Sequence, residues 1–239
     1  WRSTHQHLGS RYGVSPNAAP TARMRTRVGI PERRGGNYGP IPPRVLRAVI
    51  EAGCEPVPLS GRGPTPAFDV LLLTGGATPQ APGFPAPTGN LGFDNERDDR
   101  EYSHLEAALL LGVPIVGVCR GMQLLALWAG GTLCEVDPTV HFGSATHRDP
   151  VHHSVDIVAG SPLASITQAA SVPACSSRHR YGVQVGDGVE VVATSADGTA
   201  EGIVLAGHPA CGVLWHPEDS PPEALARRPL NLLRLSAWL

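Results

Sequence analysis

Cys119 lies in the run Gly117-Val118-Cys119-Arg120-Gly121, in which small residues flank a nucleophile type two positions away on either side. An apolar stretch precedes it and a helical pattern follows, so the run reads as the cysteine form of a nucleophile elbow. In such a turn the chain is crowded and only small flanking residues fit. The sulfur stands at the edge of the sheet and at a helix N-terminus, where partial positive charge favours a thiolate. A thiol nucleophile needs a base, and the base needs an acceptor that fixes its tautomer. The run Trp215-His216-Pro217-Glu218, almost a hundred residues on, offers both. His216 is the candidate base and Glu218 its orienter, with Pro217 stiffening the turn between them.

Acyl transfer also needs donors for the developing oxyanion, each worth about 3–4 kcal/mol. The backbone N–H of Arg120 follows the nucleophile and is one candidate. Gly75-Gly76, at the end of the run DVLLLT, supplies the other through Gly76, because glycine lets the backbone approach closely.

These residues require an α/β scaffold. The runs at 69–74 (DVLLLT) and 113–118 (VPIVGV) are continuously apolar, as strands buried on both faces are. Further strands are expected at 27–30, 55–59, 154–158, 189–194, 201–205 and 211–215. Helices are expected at 43–52, 101–111, 122–129 and 229–239. Strands alternating with helices imply a layered α/β domain around a central, largely parallel sheet. Residues 1–23 lack any apolar period and are read as an N-terminal extension, with Met24 as a candidate natural start. The catalytic domain is then 24–239. An ordered arm packed on the domain is the alternative. The Pro/Gly-rich segment 77–93 is long enough to suggest function.

Composition narrows the classes. Among 239 residues, 41% are hydrophobic and 5% aromatic, so Ala, Val and Leu must fill the core. The net charge of −2 and dispersed basic residues give no nucleic-acid or membrane surface. No apolar leader is visible, which makes the cytoplasm the default location. The five cysteines show no CxxC pair; Cys54, Cys134, Cys175 and Cys211 are expected to be small core residues. His141, His147, His152 and His153 are close in sequence but match no standard ligand spacing. They are expected on a solvated or pocket-rim loop, and no metal site is expected.

The run PIVGVCRGMQLLALWAGGTL (114–133) resembles the nucleophile segment of the γ-glutamyl hydrolase branch of class I glutamine amidotransferase-like proteins. LLLTGG (71–76), RDDREYSHLEAAL (97–109), SADGTAEGI (195–203) and GVLWHPED (212–219) are similar to other segments of that family, so the likeness covers about residues 27–239. It implies a flavodoxin-like three-layer sandwich, no cofactor, and cleavage of a γ-glutamyl amide through a γ-glutamyl thioester on the Cys119–His216–Glu218 set. It also implies that Gly75, Gln123, Ser177, His179 and Tyr181 lie near the substrate. The family's N-S-x-H-x-Q segment here reads SSRHRY, with Ser176 for Asn and Tyr181 for Gln, and the loop after the double glycine reads Ala77-Thr78-Pro79 without the acidic residue. Both departures touch substrate recognition. The implied partner is a small γ-glutamyl substrate, with a homodimer as the oligomer to test. Two other functions stand beside hydrolysis: a glutaminase subunit passing ammonia to a separate synthase, and a catalytically silent binding protein. The CRGMQ run and the lack of a synthase domain in the chain favour the hydrolase.

Overall fold

The computed structural model describes residues 25–32, 40–60, 67–84, 94–142, 150–234 and 237–238. The expected extension 1–23, the start at Met24, most of the later half of the 77–93 segment, and His147 lie outside the described residues.

Strands β1 (Arg27–Pro31), β2 (Glu55–Leu59), β3 (Val70–Leu73), β4 (Ile115–Val118) and β5 (Thr132–Glu135) come from the first part of the chain. Strands β6 (Val151–Ile157), β7 (Ser171–Ser177), β8 (Tyr181–Gln184), β9 (Val189–Ser195), β10 (Ala200–Leu205) and β11 (Ala210–Val213) follow. Nine of them form one sheet in the order β2-β1-β3-β4-β11-β10-β9-β6-β7, and β5 pairs with β8 apart from it. The five strands from β2 to β11 are parallel, and β10, β9, β6 and β7 continue the sheet antiparallel. β3 and β4 are buried along their whole length, which is why their sequences are continuously apolar.

Side-chain alternation along these strands builds a core on each face. Leu72, Val116 and Val118 point to one side with Val45 and Val49 of helix α1 (Pro43–Glu51). Leu71, Leu73 and Ile115 point to the other. There they meet Leu105 of α2 (Asn95–Leu110) and Met122 and Leu125 of α3 (Arg120–Trp128). The result is a helix–sheet–helix sandwich of flavodoxin-like type.

Helix α2 starts at Asn95, ahead of the expected 101, because Asp94 caps it: its carboxylate accepts the Arg97 N–H at 3.1 Å, and Glu96 and Asp98 sit in the positive first turn. The short helices α4 (Pro138–His141) and α5 (Pro162–Thr167) had no sustained apolar period to reveal them. The expected terminal α-helix is instead a 3-10 segment, Leu225–Leu233, with Pro229 inside it. Proline there lacks the N–H an α-helix needs and its ring crowds the preceding turn.

Candidate active site

Cys119 joins the end of β4 to the start of α3 with φ 51° and ψ −105°, a sparsely populated conformation for a residue with a side chain. Holding it costs of the order of 1–3 kcal/mol, which the surroundings must supply. The Cys119 N–H donates to the Val213 carbonyl at 2.8 Å, tying the turn to β11. A Cβ on Gly121 would stand 2.2 Å from the Leu73 carbonyl oxygen, so no other residue fits the turn as built. The Arg120 N–H opens α3 and, as the first helical amide, has no acceptor within the helix.

His216, the expected base, follows the end of β11. The His216 N–H donates to the Ser176 carbonyl at 2.8 Å, and its ring lies beside Cys119, whose charge acts on it. Its Nδ1 lies 2.9 Å from Glu218 Oε1. Cys119, His216 and Glu218 are all buried. Burial opposes charge on His216, but the Glu218 carboxylate and the Cys119 sulfur outweigh it and push the imidazolium up to about 9. Burial likewise favours neutral Glu218, yet the imidazolium holds the carboxyl down to about 2. The Arg227 guanidinium donates to the Glu218 carbonyl at 3.2 Å, and Arg44 lies 3.7 Å from its carboxylate. Trp215 is fully buried, its indole N–H donating to the Ala226 carbonyl at 2.9 Å, which fixes the segment that carries His216.

The loop after β3 packs against the His216 ring. A Cβ on Gly75 would lie 2.7 Å from Cε1 of His216 and 3.6 Å from the Cys119 Cβ. Behind this loop sits a buried ionic cluster that sequence reasoning missed. Arg97 pairs with Glu101 at 2.7 Å and donates to the carbonyls of Thr74 and Gly75 at 3.2 and 3.3 Å. The Arg120 guanidinium turns away from the elbow and pairs with Glu101 and Asp98. Asp98 in turn accepts the Gln80 N–H at 2.8 Å. The cluster therefore clamps both ends of the 74–80 loop and leaves only the backbone of Arg120 for chemistry. The i, i+4 spacing of Arg97 and Glu101 was the available signal.

The five residues expected near the substrate divide. Gly75 faces the base, as described. Gln123 is buried and its amide donates to the Tyr181 carbonyl at 2.7 Å. The Tyr181 ring is half-buried and meets Phe84 edge-on at 5.0 Å. Ser177 is enclosed, its hydroxyl donating to the His141 carbonyl at 2.8 Å. His179 is also buried and faces Glu201 at 3.3 Å, so its ring joins a cluster with His141 and His153. This corrects the solvated-loop expectation: His141 has no exposed surface and His153 is only partly exposed, although His152 does face solvent. Partners spread over four elements, far apart in sequence, made that cluster invisible to local spacing. Of the remaining cysteines, Cys54, Cys175 and Cys211 are buried and Cys134 is half-buried.

Residues 36–218 match the peptidase C26 family, and the chain belongs to it. The γ-glutamyl-γ-aminobutyrate hydrolase of Escherichia coli K12 is 30% identical over 210 residues, covering 77% of this chain and 81% of that one. A Mycobacterium tuberculosis protein named provisionally as a glutamine amidotransferase is 37% identical over 134 residues, 52% of this chain but only 41% of its own length. A crystal structure of a glutamine amidotransferase from Thermotoga maritima shares the fold with a TM-score of 0.58 at 16% identity, over 82% of this chain and 77% of that one. The chain is thus a glutamine amidotransferase-like protein of the C26 hydrolase type. Among the described residues, no helix is long and apolar enough to cross a membrane.

Proposed function

We propose that this protein hydrolyses a γ-glutamyl amide with Cys119 as nucleophile, His216 as acid and base, and Glu218 as orienter. The observation that carries the reading is the strained Cys119 beside a His216 ring that is itself held 2.9 Å from Glu218. The Cys119 thiolate attacks the γ-carbonyl carbon and the carbonyl electrons move to oxygen. The backbone N–H groups of Arg120 and Gly76 are the proposed donors to that oxyanion. When the C–N bond breaks, the His216 imidazolium gives its proton to the leaving nitrogen, and a γ-glutamyl thioester remains on Cys119.

Acylation then changes the base. The sulfur's negative charge is one of the contributions that hold the proton on His216. Once the sulfur carries an acyl group that contribution is gone, and the imidazole is freed to take a proton from water. Hydroxide adds to the thioester, and collapse expels the Cys119 thiolate and releases glutamate. The same side chain thus serves as acid and then as base because its partner's charge alternates.

The test is purified protein incubated with glutamine and with γ-glutamyl derivatives of neutral, cationic and anionic amines, with glutamate and free amine quantified. The proposal expects stoichiometric glutamate and amine from at least one γ-glutamyl amine, at a higher kcat/KM than glutamine. Turnover of glutamine alone, producing ammonia, points to the amidotransferase-subunit function. No turnover of any substrate contradicts the enzyme reading.

A further inference from the structure

We propose that His141, His153, His179 and Glu201 form a closed binding site for one divalent transition-metal ion, with Zn²⁺ the ion the donors fit best. The inference does not depend on the hydrolase reading. Nδ1 of His141, Nε2 of His153 and Nε2 of His179 lie 3.2, 3.5 and 3.3 Å from Oε1 of Glu201. The four donor atoms all lie within 4.8 Å of one another. Zinc–nitrogen and zinc–oxygen bonds of about 2.0–2.1 Å at tetrahedral angles place neighbouring donors about 3.3 Å apart.

These short approaches lack the angles of hydrogen bonds. Nδ1 of His141, Nε2 of His153, both ring nitrogens of His179 and both oxygens of Glu201 are buried without a hydrogen-bond partner. His179 and Glu201 are 3% and 0% exposed, and so many unpaired polar atoms in one enclosed place call for a ligand.

The far sides of two rings are already fixed. Nε2 of His141 is 2.9 Å from Oδ2 of Asp197, whose carboxylate also accepts the Ser195 hydroxyl at 2.6 Å and the Thr199 hydroxyl at 3.1 Å. Nδ1 of His153 is 3.1 Å from the Ser154 carbonyl oxygen. With each ring donating its N–H outward to these acceptors, the remaining nitrogen would present its lone pair to the Glu201 side. A carboxylate or carbonyl behind a ligating imidazole is the usual outer support of a metal site. Three imidazoles and one carboxylate suit zinc, whose four-coordinate structural sites have no open position. Burial matches a structural role, while the partly exposed side chains of His153 and Asp197, at 10% and 27%, leave a route for entry.

The donors come from α4, β6, the β7–β8 connection and β10. Glu201 also holds the Leu214 N–H through its carbonyl at 2.8 Å, two residues before His216. Metal binding would therefore lock the antiparallel half of the sheet onto the strand that carries the base, and its binding energy would add to folding stability.

The experiment uses the full chain, stripped with chelator and reloaded. Elemental analysis after gel filtration should find one zinc per chain, and zinc should raise the Tm above that of the stripped protein. Co²⁺-loaded protein should show the intense visible absorption of a four-coordinate ion. Glu201→Gln and His179→Ala should abolish stoichiometric binding. Asp197→Asn, a milder change that keeps the ligands, should weaken zinc affinity by about 10- to 100-fold. Folded wild-type protein that retains no zinc and gives no cobalt band overturns the proposal. So does an Asp197→Asn variant with unchanged affinity, or a weak six-coordinate cobalt spectrum.

Discussion

His216 and Glu218 place opposite charges in a dry setting, and this has a thermodynamic signature. The folded state raises His216 from an ordinary value of 6.5 to about 9. Its contribution to stability is therefore fully present below pH 6.5 and is lost as pH rises through about 9. Glu218 behaves oppositely: lowered from 4.5 to about 2, it contributes above pH 4.5 and the contribution fades as pH falls toward 2. The expected outcome is a Tm that declines between pH 7 and 10 in the wild type and declines less in His216→Gln, measured by calorimetry across that range. Equal slopes in the two proteins would show that His216 does not titrate as a buried ion pair. At this scale the sequence was informative about placement, since Cys119, His216 and Glu218, each picked out by the residue types of its run, lie together in the fold. It was uninformative where a role depends on what a side chain meets after folding. Ser177 and His179 lie in the substrate-like segment by sequence, but Ser177, at the end of β7, bonds the His141 carbonyl and His179, in the β7–β8 connection, faces Glu201.

Between elements, two close approaches govern the site. The loop after β3 must pass against the His216 ring, and only a glycine at 75 permits that. Gly75→Ala should displace the ring by a fraction of an ångström to an ångström. The expected loss is about 10²-fold in kcat with the Tm little changed, since misplacement on this scale commonly costs that much. A Tm drop without a rate loss would assign Gly75 to packing alone. The second approach is the Arg97–Glu101–Arg120–Asp98 cluster between α2 and α3. Glu101 bridges both arginines, so Glu101→Gln leaves two buried cations short of a counter-charge and should destabilise by about 3–5 kcal/mol in urea unfolding. An unchanged midpoint would mean that the arginines find other partners. The buried strands and the elbow were legible because apolar runs, Gly and Pro mark them directly. The start of α2 was not, because charged residues 97, 98 and 101 point inward where polar residues usually mark a solvent face. The final segment was misjudged because its apolar period concealed the effect of Pro229 on the helix.

Over the whole molecule, a parallel half of the sheet presents Cys119 and the loop after β3, and the strand β11 joins it to an antiparallel half bearing the His/Glu cluster. Cys119 and His216 come from the ends of neighbouring parallel strands, β4 and β11, which explains how residues so distant in sequence meet. The architecture was legible from alternating apolar runs, whereas the antiparallel extension depends on pairings that no local pattern encodes. The central claim is that Cys119 carries an acyl group during turnover. The most direct measurement is acid quenching of the protein during turnover of a γ-glutamyl amide, followed by peptide mapping by mass spectrometry. A γ-glutamyl adduct is expected on the peptide containing Cys119 and is expected to be absent in Cys119→Ala, whose turnover should fall by roughly 10⁴-fold or more while its circular dichroism is unchanged. Turnover by Cys119→Ala within tenfold of wild type, or an adduct on another residue, would contradict it.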